Sequence, residues 1–501
     1  MKRAVPLAFS LMLVAAPSGA DTLREALARA YRDNPTITGS RAQQRAIDEN
    51  VPLARAAGRP SLSTNGGVSE NPLRSGNSFS TPARSAQAQL ALNVPFFSGG
   101  AVRNSVRAAE TRVEAGQFGL RGTEASLFTD VVAAYNDVIR DEAIVGLNAQ
   151  NVRVLETNLQ ASRDRFQVGD LTRTDVAQSE ARLSLARAQL QRVQATLIGS
   201  RENYVRLVGA APGSLDAPPA LPNLPQSADA AVAEALRDNP TLLSALKERD
   251  ATSFDIRVAQ ASRLPTLGVG VTGNYVNYLG SLGSGSGLGV GQSGTSAGLG
   301  LNVSLPLFQG GRPAALVRQA QANRAQALEA ATAAERQVIA SSRSAFAIWQ
   351  SSLQVITSSE QAVAANRLSL EGVRAENSVG NRTILDILNA EQELLNSQVT
   401  LVTARRDAYV AGFALLATMG KAEAQDLGLE GGPLYNSAEN YQAVRGRYSD
   451  FGDAAAPVPV APSTATVPPQ NATVTRPLDP MLDSKVDRSQ SLTTGENTPN
   501  R

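Results

Sequence analysis

Two short segments carry the residues whose types and spacing could do chemistry. VGDLTRTDVAQSE (168–180) and VGNRTILDILNAE (379–391) each place Asp three residues after a Thr, and Glu five residues further on. Thr172-x-x-Asp175 and Thr383-x-x-Asp386 fit a helix cap in which Thr caps and the acid reaches back. No catalytic group can be added. The chain has no Cys and no His, which excludes thiol catalysis, disulfides, Cys/His zinc sites and His-based triads. GVGVTG (268–273) spells a dinucleotide fingerprint, but it lies in an alternating strand with no helix opening from it. The expectation is a non-enzyme without cofactor or metal. With 47 Lys+Arg against 45 Asp+Glu, charge gives no case for a nucleic-acid partner.

Asp175 and Asp386 lie 211 residues apart, and the same offset carries Pro95 of NVPFFSGG onto Pro306 of VSLPLFQGG and Gly209 onto Gly420. RDNP at 32–35 recurs at 237–240. The chain reads as a duplication of one domain-sized unit, too long a period for a solenoid. No proline falls between Pro95 and Pro212, nor between Pro313 and Pro433. Val138, Val145, Val152, Leu159 and Phe166 recur every seven residues, and Trp349, Ile356, Val363 and Leu370 repeat them. After each Val-Gly break come Val176, Leu183, Leu190 and Leu197, then Ile387, Leu394 and Leu401. Sustained sevens predict helices packed as coiled coils, so each unit is a long antiparallel hairpin. Gly169 and Gly380 sit where the first helix must stop, Thr172 and Thr383 where the second begins.

Upstream of each hairpin the period falls to 2. Ala88, Leu90, Leu92 and Val94 share one face, as do Leu299, Leu301, Val303 and Leu305, and Leu267, Val269 and Val271; small or polar residues alternate with them. RPSLSTNGGVSE is a weaker fourth strand. About ten residues, apolar on one face only, match a membrane-barrel strand. Four strands cannot close a barrel, and an open edge is not tolerated in lipid. The barrel must be shared, by two chains or three. The alternatives are a periplasmic coiled-coil adaptor without a barrel and a secreted enzyme, for which no catalytic constellation assembles.

The expected layout is a signal peptide at 1–20, a first repeat at 21–211, a Pro-rich mid-tube linker at 212–227, a second repeat at 228–420, a mid-tube segment at 421–449 and a disordered tail at 450–501. The Gly/Ser run from Gly280 to Gly300 reads as an external loop. Helix lengths suggest that the return helix ending near Val208 stacks on the 228–262 segment, and the last short helix, Thr383 to Met419, on the first, 21–57.

VGNRTILDILNAEQELL, RFQVGDLTRTDVAQSEARL, the paired PFFSGG and PLFQGG, and LREALARAYRDNP resemble the outer-membrane efflux proteins, the TolC-like channel-tunnels. LLATMGKAEAQDLGL followed by NYQAVRGRY is similar to the subgroup that serves type I secretion. The resemblance implies a mixed α and β membrane protein: a homotrimer with a shared twelve-stranded barrel in outer-membrane lipid, continued by a periplasmic α-helical barrel. Its partners would be a periplasmic adaptor (membrane fusion protein) and an inner-membrane ABC or proton-driven transporter. The function implied is a passive exit duct for protein secretion, with drug or metal efflux as the alternative.

The resemblance also assigns the tips. Val168, Gly169, Val379 and Gly380 become the adaptor-facing ends. Asp386 falls on an acidic ring at the entrance, and Arg382 on the residue that ties the closed state to the neighbouring hairpin, with Thr174 and Asp175 as its partners. Asn377 stands where the family has a gate Tyr and Asn389 where it has a second ring acid, so the ring of charge is halved. Phe96, Phe97 and Phe308 are candidates for an aromatic girdle.

Overall fold

The computed structural model describes residues 21–73, 82–281, 291–429, 434–453, 455–474 and 476–483. The expected signal peptide and the end of the tail lie outside them. Three short helices open the chain: α1 (Leu23–Asp33), α2 (Pro35–Asp48) and α3 (Asn50–Ala56). Strands β1 (Ser61–Glu70) and β2 (Arg84–Ser98) follow, then α4 (Ala101–Gln167) and α5 (Arg173–Val208). The second half repeats this order with α6 (Ala228–Asp238), α7 (Pro240–Ala261), β3 (Thr266–Asn277), β4 (Ser293–Ser304), α8 (Arg312–Ser378) and α9 (Ile384–Thr418). A last helix, α10 (Ser437–Val444), lies against α2. Helices α4 and α8 each have 67 residues, on the order of 100 Å at 1.5 Å per residue. No helix among the described residues is long and apolar enough to cross a membrane.

The strands form one antiparallel sheet in the order β1-β2-β3-β4. Directly opposed residues point to the same face, so the register decides what each face presents. Leu62, Leu92, Val271 and Leu299 form one rung; Val94, Val269 and Leu301 the next; Phe97, Leu267 and Val303 a third. The intervening rungs are Asn65, Gln89, Asn274 and Ser296, or Asn93, Gly270 and Gly300. Over these rungs, nearest the helices, one face is apolar and the other small or polar; further out the first face mixes Leu90 and Tyr275 with Thr64, Gly273, Thr295, Asn277 and Ser293. Much of the apolar face is exposed, including Leu62, Leu90, Leu299, Leu301 and Val303. Strand β4 begins at Ser293, so the last part of the expected 280–300 loop is strand; residues 282–290 lie outside the description.

The heptad rows are core, as their spacing requires. Val138, Val145, Val152 and Leu159 are buried on α4, Leu183 and Leu197 on α5, Val363 and Leu370 on α8, and Ile387, Leu394 and Leu401 on α9. Phe166, last in its row, is exposed near the hairpin tip.

The stacking of short helices differs from the expectation. Each RDNP motif ends one helix and starts the next, with Pro at the first helical position, where a missing N–H is harmless. Asn34 donates its backbone N–H to the Ala30 carbonyl, closing α1. Its Oδ1 accepts from the Thr36 amide at 2.8 Å, opening α2, and its Nδ2 donates to the Leu207 carbonyl at 2.8 Å, capping the end of α5. Asn239 does the same between α6 and α7, with Leu242 at 3.1 Å and the Thr418 carbonyl of α9 at 2.8 Å. So α5 abuts the α1–α2 joint and α9 the α6–α7 joint, each within its own half. Length matching could not distinguish this from the crossed arrangement; the asparagine caps do. Gly420 seals the second joint, since a Cβ there would lie 2.3 Å from the Asp238 carbonyl oxygen.

The tail is also corrected. Residues 470–474 and 476–483 pack on the hairpins, and Leu482 is 2% exposed. Poor in core-forming residues of its own, this segment borrows the surface of the helices.

Asn239→Ala removes the cap of α7 and the side-chain donor to the Thr418 carbonyl. It should lower stability by about 2 kcal/mol. Asn239→Asp keeps the acceptor and loses the donor, so urea unfolding should place it below wild type as well.

Candidate functional site

Both hairpin tips are built by the same local chemistry. Helix α4 ends in a Schellman turn: the Asp170 amide donates to the Arg165 carbonyl at 2.9 Å and the Gly169 amide to Phe166 at 3.0 Å. Helix α8 ends likewise, Asn381 on Glu376 at 2.9 Å and Gly380 on Asn377 at 3.0 Å. The turn needs a left-handed residue, and Gly169 and Gly380 have φ of 84° and 82°. This exposes Val168 and Val379 at the apices, 71% and 70% accessible.

Helices α5 and α9 begin in matching capping boxes. The Thr172 hydroxyl accepts from the Asp175 amide, and the Asp175 carboxylate accepts from the Thr172 amide at 2.9 Å and hydroxyl at 2.7 Å. Thr383 and Asp386 repeat this at 2.9 and 2.8 Å. These hydrogen bonds hold the Asp175 carboxyl below its ordinary value. Those from Thr383 do the same for Asp386, where the Arg382 charge adds to the effect.

Of the other expected residues, only Asn377 and Asn389 are shown bridging the hairpins among the described residues. Within the chain, Arg382 donates to Glu376 of its own hairpin at 2.7 Å, and the Asp175 carboxylate is engaged by Thr172. Thr174 is exposed. Asn377 accepts from Arg165 of α4 at 3.4 Å and donates to the Arg382 carbonyl at 2.7 Å. Asn389 accepts from Arg182 of α5 at 2.7 Å. Both asparagines that depart from the family pattern therefore fasten the second hairpin to an arginine of the first. Phe96, Phe97 and Phe308 are exposed at the helix-proximal end of the sheet, Phe308 in the turn before α8.

The sequence reading missed the strongest link. Glu391 of α9 is buried and accepts two hydrogen bonds from Asn158 of α4, at 3.0 and 2.9 Å, while Arg374 of α8 pairs with it at 3.0 Å. Burial pushes the Glu391 carboxyl up, and Asn158 and Arg374 oppose that shift. The signal was present: Arg163 and Glu180 stand 211 residues before Arg374 and Glu391 and pair at 2.7 Å, but exposed. One pair spacing serves as a solvated strut in the first hairpin and as a buried junction in the second.

These observations define a class: an open membrane-type sheet prolonged by two coiled-coil hairpins with capped, glycine-turned tips. The family described as outer membrane efflux protein matches residues 26–210 and 231–421, and the chain belongs to it. Among curated relatives, the outer membrane efflux protein BepC of Brucella suis is 33% identical over 85% of this chain and 91% of its own length. The outer membrane protein TolC of Escherichia coli is 27% identical over 85% and 88%, and the alkaline protease secretion protein AprF of Pseudomonas aeruginosa 28% over 62% and 64%. Among solved structures, the Campylobacter jejuni CmeC outer membrane channel superposes with a TM-score of 0.71 at 15% identity, covering 85% of this chain and 89% of that one. VceC of Vibrio cholerae gives 0.67 at 20%, covering 79% and 96%. The chain is an outer-membrane protein extending into the periplasm.

Arg374→Ala leaves Glu391 buried without its cation and should cost about 3 kcal/mol. Arg163→Ala at the exposed counterpart should cost less than about 1 kcal/mol. Denaturant unfolding of the two variants side by side checks the difference.

Proposed function

We propose that the chain is the passive exit duct of a tripartite export system serving type I protein secretion. Three copies pool their sheets into a twelve-stranded barrel, and their hairpins form a tube that meets a periplasmic adaptor and an inner-membrane ABC or proton-driven transporter. The observation that carries this is the four-stranded sheet, exposed on much of its apolar face and, among the described residues, without a partner strand at either edge, joined to hairpins on the order of 100 Å long. In lipid both edges need partners, and neighbouring copies supply them. Phe96, Phe97 and Phe308 then stand at the level of a membrane–water girdle. The tips Val168, Gly169, Val379 and Gly380 face the adaptor.

At the entrance, Asp386 of three copies lines the bore. Arg382 is within reach of a neighbour's tip, where Thr174 and Asp175 offer acceptors. In the resting protein Asn377, Asn389 and Glu391 fasten the second hairpin to the first. With Asn389 committed to Arg182, a single acidic position per copy faces the axis.

The names of AprF and of the proteases secretion protein PrtF of Dickeya chrysanthemi support protein cargo. A second reading, efflux of small toxic compounds or metals, is favoured by the names of BepC and of the cobalt-zinc-cadmium resistance protein CzcC of Cupriavidus metallidurans. A deletion strain separates them: lost secreted proteins with unchanged drug and metal tolerance supports secretion, and the reverse supports efflux.

In planar bilayers the purified protein should form pores. Asp386→Ala should weaken block by multivalent cations at least several-fold; unchanged block would remove Asp386 from the bore. Arg382→Ser should raise the resting conductance, and an unaltered conductance would take Arg382 out of the gate.

A further inference from the structure

Residues 470–474 and 476–483 lie across all four helices of the two hairpins. At one end Arg201 of α5, itself buried and paired with Glu142 of α4 at 2.6 Å, donates to the Asn471 and Thr473 carbonyls at 2.6 and 2.8 Å. At the other end Gln398 of α9 donates to the Leu482 carbonyl at 2.9 Å, and Arg367 of α8 donates to the Met481 carbonyl. Arg405 of α9 holds Asp479 at 2.9 Å while also pairing with Glu360 of α8 at 3.1 Å. Leu482 sits in one apolar cluster with Leu147 of α4, Val363 and Leu370 of α8, and Leu394 and Leu401 of α9.

The seat is shaped for this segment. Gly146 is in the interior of a 67-residue helix, where glycine is unfavourable relative to Ala. A Cβ there would lie 2.9 Å from Leu478 Cδ2, so the missing side chain is where Leu478 rests. Glu142, Gly146 and Gln150 form one stripe of α4 at spacings of four, and each meets the segment or its anchor: Glu142 through Arg201, Gly146 through Leu478, Gln150 through Asp483 at 3.0 Å.

We propose that this segment is a strap that fastens the first hairpin to the second part-way along the tube and restrains the second hairpin's tip. Position 146 lies 21 residues before the end of α4, on the order of 30 Å from the apex. A displacement of the second hairpin against the first must therefore carry the strap along or pull it from its seat. The restraint rests on the channel reading; the docking does not.

Three proteins test it in planar bilayers: the full chain, a chain ending at Pro469, and full-length Gly146→Leu, which fills the Leu478 seat while improving helix propensity. The truncation and Gly146→Leu should both raise mean resting conductance at least two-fold over the full chain. Equal conductance in all three overturns the restraint. The full chain making no pores would remove the channel reading, and the restraint with it. Docking is read separately, because the chain has no Cys. Gly146→Cys with Leu478→Cys should oxidise to a monomer of altered mobility on a non-reducing gel. Free thiols or cross-linked dimers would overturn the seat within one chain.

Discussion

The length of both hairpins depends on two asparagines that each serve three helix ends at once. A 67-residue helix offers a packing surface far longer than its 36- or 35-residue return helix can cover. The uncovered part must be met by other helices, and the meeting point is a break with unpaired backbone groups. Asn34 and Asn239 satisfy a donor on one side of the break and a carbonyl across it, and Pro at the next position removes one N–H that would need a partner. Without such a joint the middle of each hairpin would bury orphaned polar groups where the largest apolar cluster lies, around Phe128, Tyr135, Tyr204 and Phe413.

The two halves share local chemistry and differ in what surrounds it. Capping boxes, Schellman turns and Arg–Glu spacing are the same in both tips. The first hairpin keeps its Arg163–Glu180 pair in water; the second buries Arg374–Glu391 and adds Asn158 from α4. A buried pair is sensitive to geometry in a way that a solvated pair is not, since separating its members strands a charge. The link from the second hairpin to the first is Asn158 of α4, which donates twice to this same buried carboxylate. Arg165–Asn377 and Arg182–Asn389 lie nearer the apex and are more exposed.

Much of this was legible from spacing alone. The return helix expected over 172–208 is observed at 173–208; period-two alternation located β2, β3 and β4, and the weaker fourth strand expected in RPSLSTNGGVSE is β1. Periods and caps are local, so they survive without knowledge of the fold. What stayed hidden depends on adjacency between distant segments. Helix lengths permit either stacking order, and the choice rests on an Asn amide reaching a carbonyl 173 residues away. Glu391 looked like Glu180 because burial leaves no mark on a pair's spacing. The strap read as disordered because its own composition supplies no core; Gly146, its clearest trace, is one glycine in a helix with no partner apparent in the sequence.

The sheet and the tube impose complementary demands on a single chain. Along β1 and β4 every second residue points its backbone N–H and C=O away from the sheet. Water satisfies such an edge at little cost, whereas hydrocarbon leaves each group short by several kcal/mol. The apolar face makes the opposite demand, since Leu299, Leu301 and Val303 gain by leaving water. One environment cannot meet both needs for an isolated chain: lipid serves the face and penalises the edges, and water does the reverse. Pairing β1 of one copy with β4 of the next removes the conflict. In the proposed ring the hairpin tips would gather around a common axis, and Asp386, held by the Thr383 cap, would stand at its narrow end.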